Sequence, residues 1–415
     1  MRAEPALILD ISRLVSRIGT GPLTGIDRVE AAWLDYVSTR EHLLLCRIPR
    51  AQALLPAEAG PLIMGWINGE THGLPARPGW RERLSRKRGL PAKALSALRA
   101  MALAVTPADG RGLRHEITRR LPDGPIAYLN VGHSNLDPRP LANLTGLTRM
   151  VLIHDTIPLD FPEYTRAGQS EKFRDRLIAA LSHAEIIATI SEATAADVSG
   201  WRARLNLPSR ARIVPAHIGT VLTTPDEAAI PADLDLGRPF FVTLGTIEPR
   251  KNHAVLLDAW DRLARDLPPA EVPGLLIIGR RGWENHEVFA RLDKLPPSGP
   301  VRECAGLSDG AVAALTARSH GLLMPSRAEG FGLPLTEAAG RGVAVVSAPL
   351  PAARELLGEY AYYLSPDSPE DWARTVTQLA IEPASDMKPL AISSWDRHFE
   401  KIARAIASAG TGDIQ

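Results

Sequence analysis

Short apolar runs alternate along the chain with longer amphipathic segments, and this alternation is its main structural signal. Short apolar runs are typical of strands buried on both faces, whereas a 3.6-residue period indicates helices that cross between strands. The pattern therefore predicts an α/β protein built on parallel sheets. The candidate strands are Ala6–Leu9, Leu43–Ile48, Ile126–Val131, Met150–Ile153, Ile186–Ile190, Arg212–Val214, Phe240–Leu244, Leu275–Ile278, Gly321–Met324 and Ala344–Val346.

The segment from Thr220 to Gly237 interrupts the pattern, since it is rich in Pro, Asp and Ala and has no clear period. It is typical of a linker between two sheets. A chain of 415 residues also exceeds one ordinary core. We therefore expect an N-terminal domain over 1–218, a C-terminal domain over 219–390 and a last segment over 391–415. That segment contains a predicted amphipathic helix, Ser394–Ala409, with Trp395, Phe399 and Ile402 on one face.

Bulk composition excludes several classes of protein. The formal net charge is +1, which does not favour nucleic acid as a partner. The two cysteines, Cys46 and Cys304, are far apart and lack metal-ligand spacing, which fits a reducing compartment. No apolar run approaches the roughly 20 residues of a membrane-spanning helix, and the first residues do not resemble a signal peptide. The expected location is cytoplasmic.

One local segment departs from this balance. Residues 77–120 contain twelve Lys or Arg residues against three Asp or Glu residues, with leucines and alanines interleaved. One interpretation is a basic insertion that contacts an anionic membrane surface or an anionic acceptor. The other is a solvated pair of surface helices.

The stretch from Pro325 to Gly340 carries the strongest chemical signal. A buried strand is followed by Glu329, by the glycine-rich turn Gly330-Phe331-Gly332, and by a helix whose first turn suits Pro334. A loop and a helix N-terminus at the carboxyl edge of a sheet form an anion site. The carboxylates Glu329 and Glu337 suit hydroxyl groups, one on a sugar and one on a ribose.

A second candidate site is Gly245-Thr-Ile-Glu-Pro-Arg-Lys-Asn252, between a strand and a helix that starts near Asn252. Arg250 and Lys251 would oppose the dipole of that helix unless an anion lay between them. A bound diphosphate would supply the anion. The alternative is a pair of solvated charges in a turn.

Two further candidates lie in the first half. Gly19, Gly21 and Gly25 follow the first strand and open a helix that begins near Thr24, although their spacing matches no nucleotide-binding fingerprint. His154 and Asp155 follow a buried strand at its carboxyl end, where ligands bind in open α/β sheets, and His133 ends the preceding strand. His154 could bind a sugar hydroxyl or simply pair with Asp155. Asp233-Leu-Asp235 lies in the linker and is interpreted as solvated, so no metal site is expected.

Taken together, these motifs resemble those of retaining family-four glycosyltransferases of GT-B architecture. The resemblance rests on Glu329-Gly-Phe-Gly-Leu-Pro-Leu-Thr-Glu337, on Gly245 to Asn252, on Thr24-Gly-Ile-Asp-Arg-Val29, on His154-Asp155 and on Ile190-Ser191-Glu192. It implies two Rossmann-like domains with parallel sheets facing across a cleft, and a C-terminal helix that crosses back to the first domain. It covers nearly the whole chain except residues 50–120.

The resemblance also implies roles for individual residues. His154, Lys251 and Glu329 would be catalytic, with Glu329 on donor-sugar hydroxyls, Glu337 on the ribose, and Gly25, Arg250 and Gly330 to Gly332 at the donor. Thr24 and Asp155 would lie on the acceptor side. Many relatives carry an arginine directly after the glycine of the second motif, where this chain has Thr246. The resemblance therefore supports the diphosphate role of Lys251 more directly than that of Arg250.

The implied activity is transfer of a hexose with retention, without metal or other cofactor. The donor would be a nucleotide-diphospho-sugar, with GDP-mannose or a related GDP-sugar favoured by similarity to bacterial mannosyl- and rhamnosyltransferases of surface polysaccharide assembly. The acceptor would be a glycan or a lipid-linked sugar, reached at the inner face of the cytoplasmic membrane through residues 77–120. A sugar-nucleotide epimerase or hydrolase of the same fold, or a non-catalytic sugar-nucleotide-binding subunit, are the alternatives.

Overall fold

The computed structural model describes residues 4–21, 23–79, 81, 88–121, 123–381 and 387–409. The chain divides into two compact units, which are described separately below. The first unit comprises 1–159, 165–218 and 395–415, and the second comprises 160–164 and 219–394.

The first unit is built on a sheet whose described strands follow the order β4-β3-β2-β1-β5-β6-β7-β8. Strands β1, β2 and β5 to β8 run parallel to one another, whereas β3 pairs antiparallel with both β2 and β4. The strand bounds are β1 Ala6–Asp10, β2 His42–Ile48, β3 Ala51–Leu55, β4 Ala104–Pro107, β5 Ile126–Asn130, β6 Thr148–Ile153, β7 Ile186–Thr189 and β8 Arg212–Pro215.

Helices of the first unit connect these strands and cover the sheet. Strand β1 is buried along its whole length, as expected of a central parallel strand. The helices are α1 Ser12–Arg17, α2 Gly25–Ser38, α3 Ala59–Ile67, α4 Gly89–Met101, α5 Leu113–Thr118, α6 Pro138–Ala142, α7 Ile157–Asp160, α8 Gln169–His183 and α9 Glu192–Arg204, and α7 ends at the border between the units.

The basic segment 77–120 is integrated into the first unit over its described residues. It contains α4, the sheet strand β4 and α5, and its Leu98 and Leu113 are fully buried. These buried leucines anchor this part of the segment to the core, and contact of its basic side chains with a membrane stays a prediction. Arg83, Arg86 and Lys87 lie outside the described residues.

The second unit carries a parallel sheet with strand order β11-β10-β9-β12-β13-β14. Its strands are β9 Phe240–Leu244, β10 Gly274–Ile278, β11 Val301–Cys304, β12 Gly321–Met324, β13 Val345–Ser347 and β14 Tyr362–Tyr363. Its helices are α10 His253–Asp266, α11 His286–Leu292, α12 Asp309–Arg318, α13 Leu333–Gly340, α14 Pro351–Leu357 and α15 Pro369–Ile381.

The segment 220–237 connects the two sheets and belongs to the second unit. It contains only one short 3-10 turn, Glu227–Ala229, among its residues. The hydroxyl groups of Thr220 and Thr336 lie 2.7 Å apart, and Leu234 packs against the core under β9 and β12. These contacts fix one side of the connection to the second unit.

The final helix, α16 Trp395–Ala409, returns to the first unit after the chain has completed the second sheet. Its buried face includes Phe399, whose ring lies 5.0 Å from that of Trp33 on α2. His398 donates from Nδ1 to the carbonyl oxygen of Ala216 at 3.0 Å. The predicted apolar face therefore packs on the N-terminal unit, as the GT-B resemblance implied.

Candidate functional site

The loop after β9 brings two basic side chains to the carboxyl edge of the second sheet. Gly245 takes a φ of 130°, and a Cβ at Gly279 would lie 1.9 Å from the Gly245 carbonyl oxygen, so this crossing requires glycine. A 3-10 turn, Pro249–Lys251, follows and leads into α10 through Asn252, which has a left-handed φ of 54°. Arg250 and Lys251 thus immediately precede the helix, as predicted.

The loop after β12 places Glu329 between these two cations. Lys251 Nζ donates to Glu329 Oε1 at 2.7 Å, and Arg250 Nη1 forms an ion pair with Oε2 at 2.8 Å. Arg250 also donates from Nη2 to Glu248 Oε1 at 2.9 Å. The side chains of Lys251 and Glu329 are only 12% and 11% exposed. The cluster is therefore largely shielded from water.

Electrostatics keep Glu329 ionised. Burial alone would raise its pKa, but the charges of Arg250 and Lys251 outweigh burial and lower the pKa to about 2. The two cations were expected to need a bound diphosphate between them. In this structure the carboxylate of Glu329 already supplies an anion, which explains how both cations are tolerated before a helix.

Backbone contacts hold the two loops of the second unit together. The amide of Arg327 donates to the carbonyl oxygen of Arg250 at 2.9 Å. Asn252 donates from Nδ2 to the carbonyl oxygens of Pro325 at 3.2 Å and Pro366 at 2.8 Å. Sequence analysis assigned no role to Asn252 or Glu248, although asparagine before a helix is a recognised signal for left-handed backbone.

Glu329 is followed at once by the turn into α13. Phe331 is buried, and Gly332 takes a φ of 96°, which lets the chain enter the helix with Pro334 in its first turn. Glu337 lies at the fifth position of α13. The structure therefore places Gly330, Phe331 and Gly332 directly between Glu329 and the helix that carries Glu337.

The first unit has its own charged cluster at the start of α2. Thr24 precedes the helix and donates from its backbone amide and its hydroxyl to Asp27 Oδ2, at 3.1 and 2.9 Å. Arg13 and Arg17 of α1 contact the same buried carboxylate through Nε, at 2.6 and 3.0 Å. These contacts of Arg13 and Arg17 were not predicted. Their i, i+4 spacing, which places both side chains on one face of α1, was the signal that the sequence offered.

Gly25 opens α2 beside this cluster. A Cβ on Gly25 would find no described atom within 4 Å. Its backbone is thus unobstructed on that side, which suits the close approach of a ligand.

His154 lies at the end of β6 and is 3% exposed. Its Nε2 lies 2.7 Å from the carbonyl oxygen of Val131. A carbonyl oxygen can only accept a hydrogen bond, so Nε2 carries the proton and donates it. Burial lowers its pKa to about 4, so the imidazole is neutral near pH 7. Asp155 Oδ1 accepts a hydrogen bond from the amide of Ile157 at 3.1 Å.

The linker aspartates have arginine partners. Arg302 Nη2 donates to Asp233 Oδ2 at 2.7 Å, and Arg238 Nε donates to Asp235 Oδ2 at 3.3 Å. Within the described ranges, no helix combines the length and apolar character needed to cross a membrane.

Comparison with known proteins finds a family match within the second unit. Residues 226–390 match the family model described as "Glycosyl transferases group 1". A serotype-specific mannosyltransferase WbdA of Escherichia coli is 32% identical over 245 residues, which cover 56% of this chain and 30% of WbdA. An O-antigen chain mannosyltransferase B of the same species is 32% identical over 124 residues, or 30% of this chain and 32% of that protein. The chain spans about a third of the length of these relatives.

Solved structures show the fold. Anabaena HepE in complex with UDP-glucose aligns over 98% of this chain and 97% of its own, with a TM-score of 0.57 and 16% identity. The sucrose-phosphate synthase of Thermosynechococcus elongatus aligns over 98% and 94%, with a TM-score of 0.57 and 13% identity. These structures confirm the GT-B fold, and residues 226–390 are similar to group 1 glycosyl transferases.

Proposed function

We propose that this chain, whose second unit is a glycosyl transferases group 1 domain within a GT-B fold, transfers a hexose from a nucleotide-diphospho-sugar to a glycan or lipid-linked acceptor in polysaccharide or glycolipid assembly. The observation that carries the proposal is the cluster of Arg250, Lys251 and Glu329. Two cations that are largely shielded from water, beside a glycine turn and a helix N-terminus, suit a diphosphate.

Donor binding would proceed by exchange of ion-pair partners. Diphosphate oxygens would take the place of Glu329 as the anion beside Lys251 and Arg250, and Glu329 would then accept hydrogen bonds from donor-sugar hydroxyls. Glu337, at the fifth position of α13, would bind the ribose. After the exchange each charged group still has a hydrogen-bonding partner, the cations on phosphate oxygens and Glu329 on sugar hydroxyls, which limits the desolvation cost of donor binding.

The proposed chemistry is transfer with retention and without a metal. The bond between the sugar anomeric carbon and the diphosphate oxygen breaks, the acceptor oxygen bonds that carbon from the same face, and the acceptor proton passes to a phosphate oxygen. Lys251 and Arg250 would stabilise the negative charge on the departing diphosphate. Orientation of the two substrates can contribute roughly 7–11 kcal/mol.

His154 would take part as a neutral hydrogen-bond acceptor. Its Nε2 proton is bound to the Val131 carbonyl, and no described residue donates to its Nδ1. Nδ1 is thus suited to accept a hydroxyl hydrogen from a sugar, while a neutral ring adds no positive charge. Gly25, Thr24 and Asp155 would complete the substrate contacts of the first unit.

GDP-mannose or a related GDP-sugar is the favoured donor, supported by the mannosyltransferase relatives. Release of GDP and UDP from a panel of nucleotide sugars, with and without a mannose-terminated oligosaccharide, tests the function. Acceptor-dependent release supports a transferase. Release without acceptor indicates a hydrolase or epimerase, and binding without release indicates a non-catalytic subunit. NMR of the glycoside product then tests retention, which an inverted anomer would contradict.

Peripheral membrane contact through residues 77–120 is part of the same proposal. Arg81, Arg88 and Arg111 are exposed, in line with a basic surface near an anionic bilayer. Co-sedimentation with vesicles containing phosphatidylglycerol should fall when Arg81, Arg88 and Lys93 are changed to glutamine. Unchanged sedimentation would remove this part of the proposal.

A further inference from the structure

Two buried histidines in the first unit each hydrogen-bond a backbone carbonyl on or next to the other's strand. His133 follows β5, and its Nε2 donates to the carbonyl oxygen of Leu152 on the neighbouring strand β6 at 2.8 Å. His154 follows β6, and its Nε2 donates to the carbonyl oxygen of Val131 after β5 at 2.7 Å. Each ring is thus anchored to the end of the other strand, and the ring centroids lie 4.9 Å apart.

The backbone at His133 is held in an uncommon conformation. Its φ is 57°, a region that non-glycine residues seldom occupy. The turn before it is tightly packed, because a Cβ at Gly132 would lie 2.6 Å from Glu30 Oε2 and 2.8 Å from the Cβ of Arg13. Uncommon backbone that the surroundings enforce is often found at functional sites.

The hydrogen bonds determine where the ring protons lie. Both partners are carbonyl oxygens, so each Nε2 must carry a hydrogen and each Nδ1 of a neutral ring must be bare. The backbone amide of His154 points its hydrogen at His133 Nε2 at 3.3 Å, but the shorter contact of that Nε2 with the Leu152 carbonyl, at 2.8 Å, requires the ring nitrogen to carry its own proton. No described residue donates to Nδ1 of His154.

We propose that His133 is a positioning residue: its hydrogen bond to the Leu152 carbonyl holds the ends of β5 and β6 together. It thereby holds in place the Val131 carbonyl that fixes the ring orientation and the Nε2–H tautomer of His154, so that His154 Nδ1 is available to accept a hydrogen bond from a substrate hydroxyl. The part concerning substrate rests on the proposed glycosyl transfer. The part concerning tautomer and orientation stands on the two hydrogen bonds alone. A purely structural role for His133, as a core residue beside the Phe173 ring, would leave His154 unaffected by its loss.

The tautomer is measured without any substrate. Two-bond proton–nitrogen correlation spectra of the wild-type chain labelled with 15N-histidine, assigned with His154→Gln, report which ring nitrogen of His154 is protonated. The proposal requires Nε2–H at pH 7. A proton on Nδ1, or rapid exchange between the two nitrogens, would overturn it even if every His133 variant failed to fold.

A matched pair of variants tests the coupling. His133→Gln retains an amide donor that can reach the Leu152 carbonyl, and His133→Leu has similar bulk and the same backbone constraint but no donor. We expect the leucine variant to lose the single tautomer at His154 and to lower kcat on the order of 10²-fold with little change in donor KM. The His133→Gln variant should retain the single tautomer at His154 and most of the wild-type kcat.

Two outcomes separate this inference from the proposed function. If His154 shows the predicted tautomer and the leucine variant changes it, but no nucleotide sugar is turned over, the positioning role stands and the glycosyltransferase proposal fails. If turnover is found and the leucine variant leaves both kcat and the His154 tautomer unchanged, the positioning role is wrong and the function stands.

Discussion

Lys251 Nζ lies 2.7 Å from Glu329 Oε1, and both side chains are nearly buried. These residues are 78 positions apart in the chain and meet because β9 and β12 are neighbours in the parallel sheet. Their ion pair links the basic loop before α10 to the glycine turn before α13. It also means that a diphosphate must compete with a carboxylate of the protein for the same cations.

Replacing Glu329 with glutamine should separate binding of the leaving group from catalysis. Without the carboxylate, Lys251 and Arg250 no longer have an internal anion, so affinity for free GDP or UDP should rise by roughly tenfold, or about 1.4 kcal/mol. Turnover should fall at least about 10²-fold, because the sugar contact is lost. Isothermal titration and nucleotide release measure these effects.

Glu248→Gln is the control for that experiment, since the Glu248 carboxylate contacts Arg250, whereas Lys251 contacts Glu248 through a backbone hydrogen bond that the substitution retains. It should change nucleotide affinity less than Glu329→Gln. Weaker nucleotide binding by Glu329→Gln would contradict the ion-pair exchange.

Gly245→Ala should disturb Lys251 selectively. The added Cβ would lie 3.2 Å from Lys251 Cε, at a φ of 130° that L-residues rarely adopt. We expect donor affinity to fall about tenfold or more and the unit to lose about 1–3 kcal/mol of stability. Gly306→Ala, in an exposed left-handed turn of the same unit with open space around its Cβ, is the matched control. Equal loss of donor affinity in both variants would show that displacement of Lys251 is not the cause of the loss.

Acid should destabilise the first unit between pH 6.5 and 4. Burial lowers the pKa of His154 and of His398 to about 4, from an ordinary 6.5. In that window the unfolded chain binds more protons than the folded chain, so the free energy of unfolding falls as pH falls, by up to about 3 kcal/mol for each histidine. Glu329, whose pKa is lowered, loses its contribution only as pH falls from 4.5 towards 2.

Urea unfolding at pH 7, 5.5 and 4.5 checks this dependence. In the His398→Gln variant the free energy of unfolding should depend less on pH, whereas substitution of the exposed His115 should leave that dependence unchanged. A slope that His398→Gln leaves unchanged would mean that other groups control the acid response.

Phe399→Ala should weaken the attachment of α16 to the first unit. The ring stacks on Tyr36 at 4.1 Å and meets Trp33 edge-on at 5.0 Å, so its removal should cost about 3–5 kcal/mol. Tryptophan fluorescence during urea unfolding measures the loss. The exposed Lys401→Ala should change stability by less than about 0.5 kcal/mol. A similar small effect for Phe399→Ala would show that α16 contributes little to this unit.

The apolar pattern predicted most of the central strands because parallel strands are buried on both faces and read as continuous apolar runs. Phe240–Leu244 and Gly321–Met324 were located at their observed bounds. The pattern missed the strands Ala51–Leu55, Val301–Cys304, Tyr362–Tyr363 and Ala104–Pro107. The last of these is a short edge strand with exposed positions, so it lacks the signal of a buried strand.

The candidate site was predictable where chemistry and spacing coincide in a short motif. Glu329, Lys251 and Arg250 were identified because each lies beside a strand end and a turn. Their pairing was not foreseen, because it depends on which strands are neighbours. The contacts of Asp27 with Arg13 and Arg17, and of His133 with Leu152, likewise arise only when separate loops are brought together by the sheet.

The most direct test of the account is donor binding by the second unit's site in the full chain. Nucleotide sugars, with GDP-mannose and UDP-glucose foremost, are titrated calorimetrically into wild type, Glu337→Ala and the exposed control Glu287→Ala. The account predicts that at least one donor binds wild type and Glu287→Ala equally and binds Glu337→Ala at least about tenfold more weakly, as loss of a ribose hydrogen bond to a carboxylate requires. Equal binding to all three proteins, or no binding of any nucleotide sugar, would contradict it.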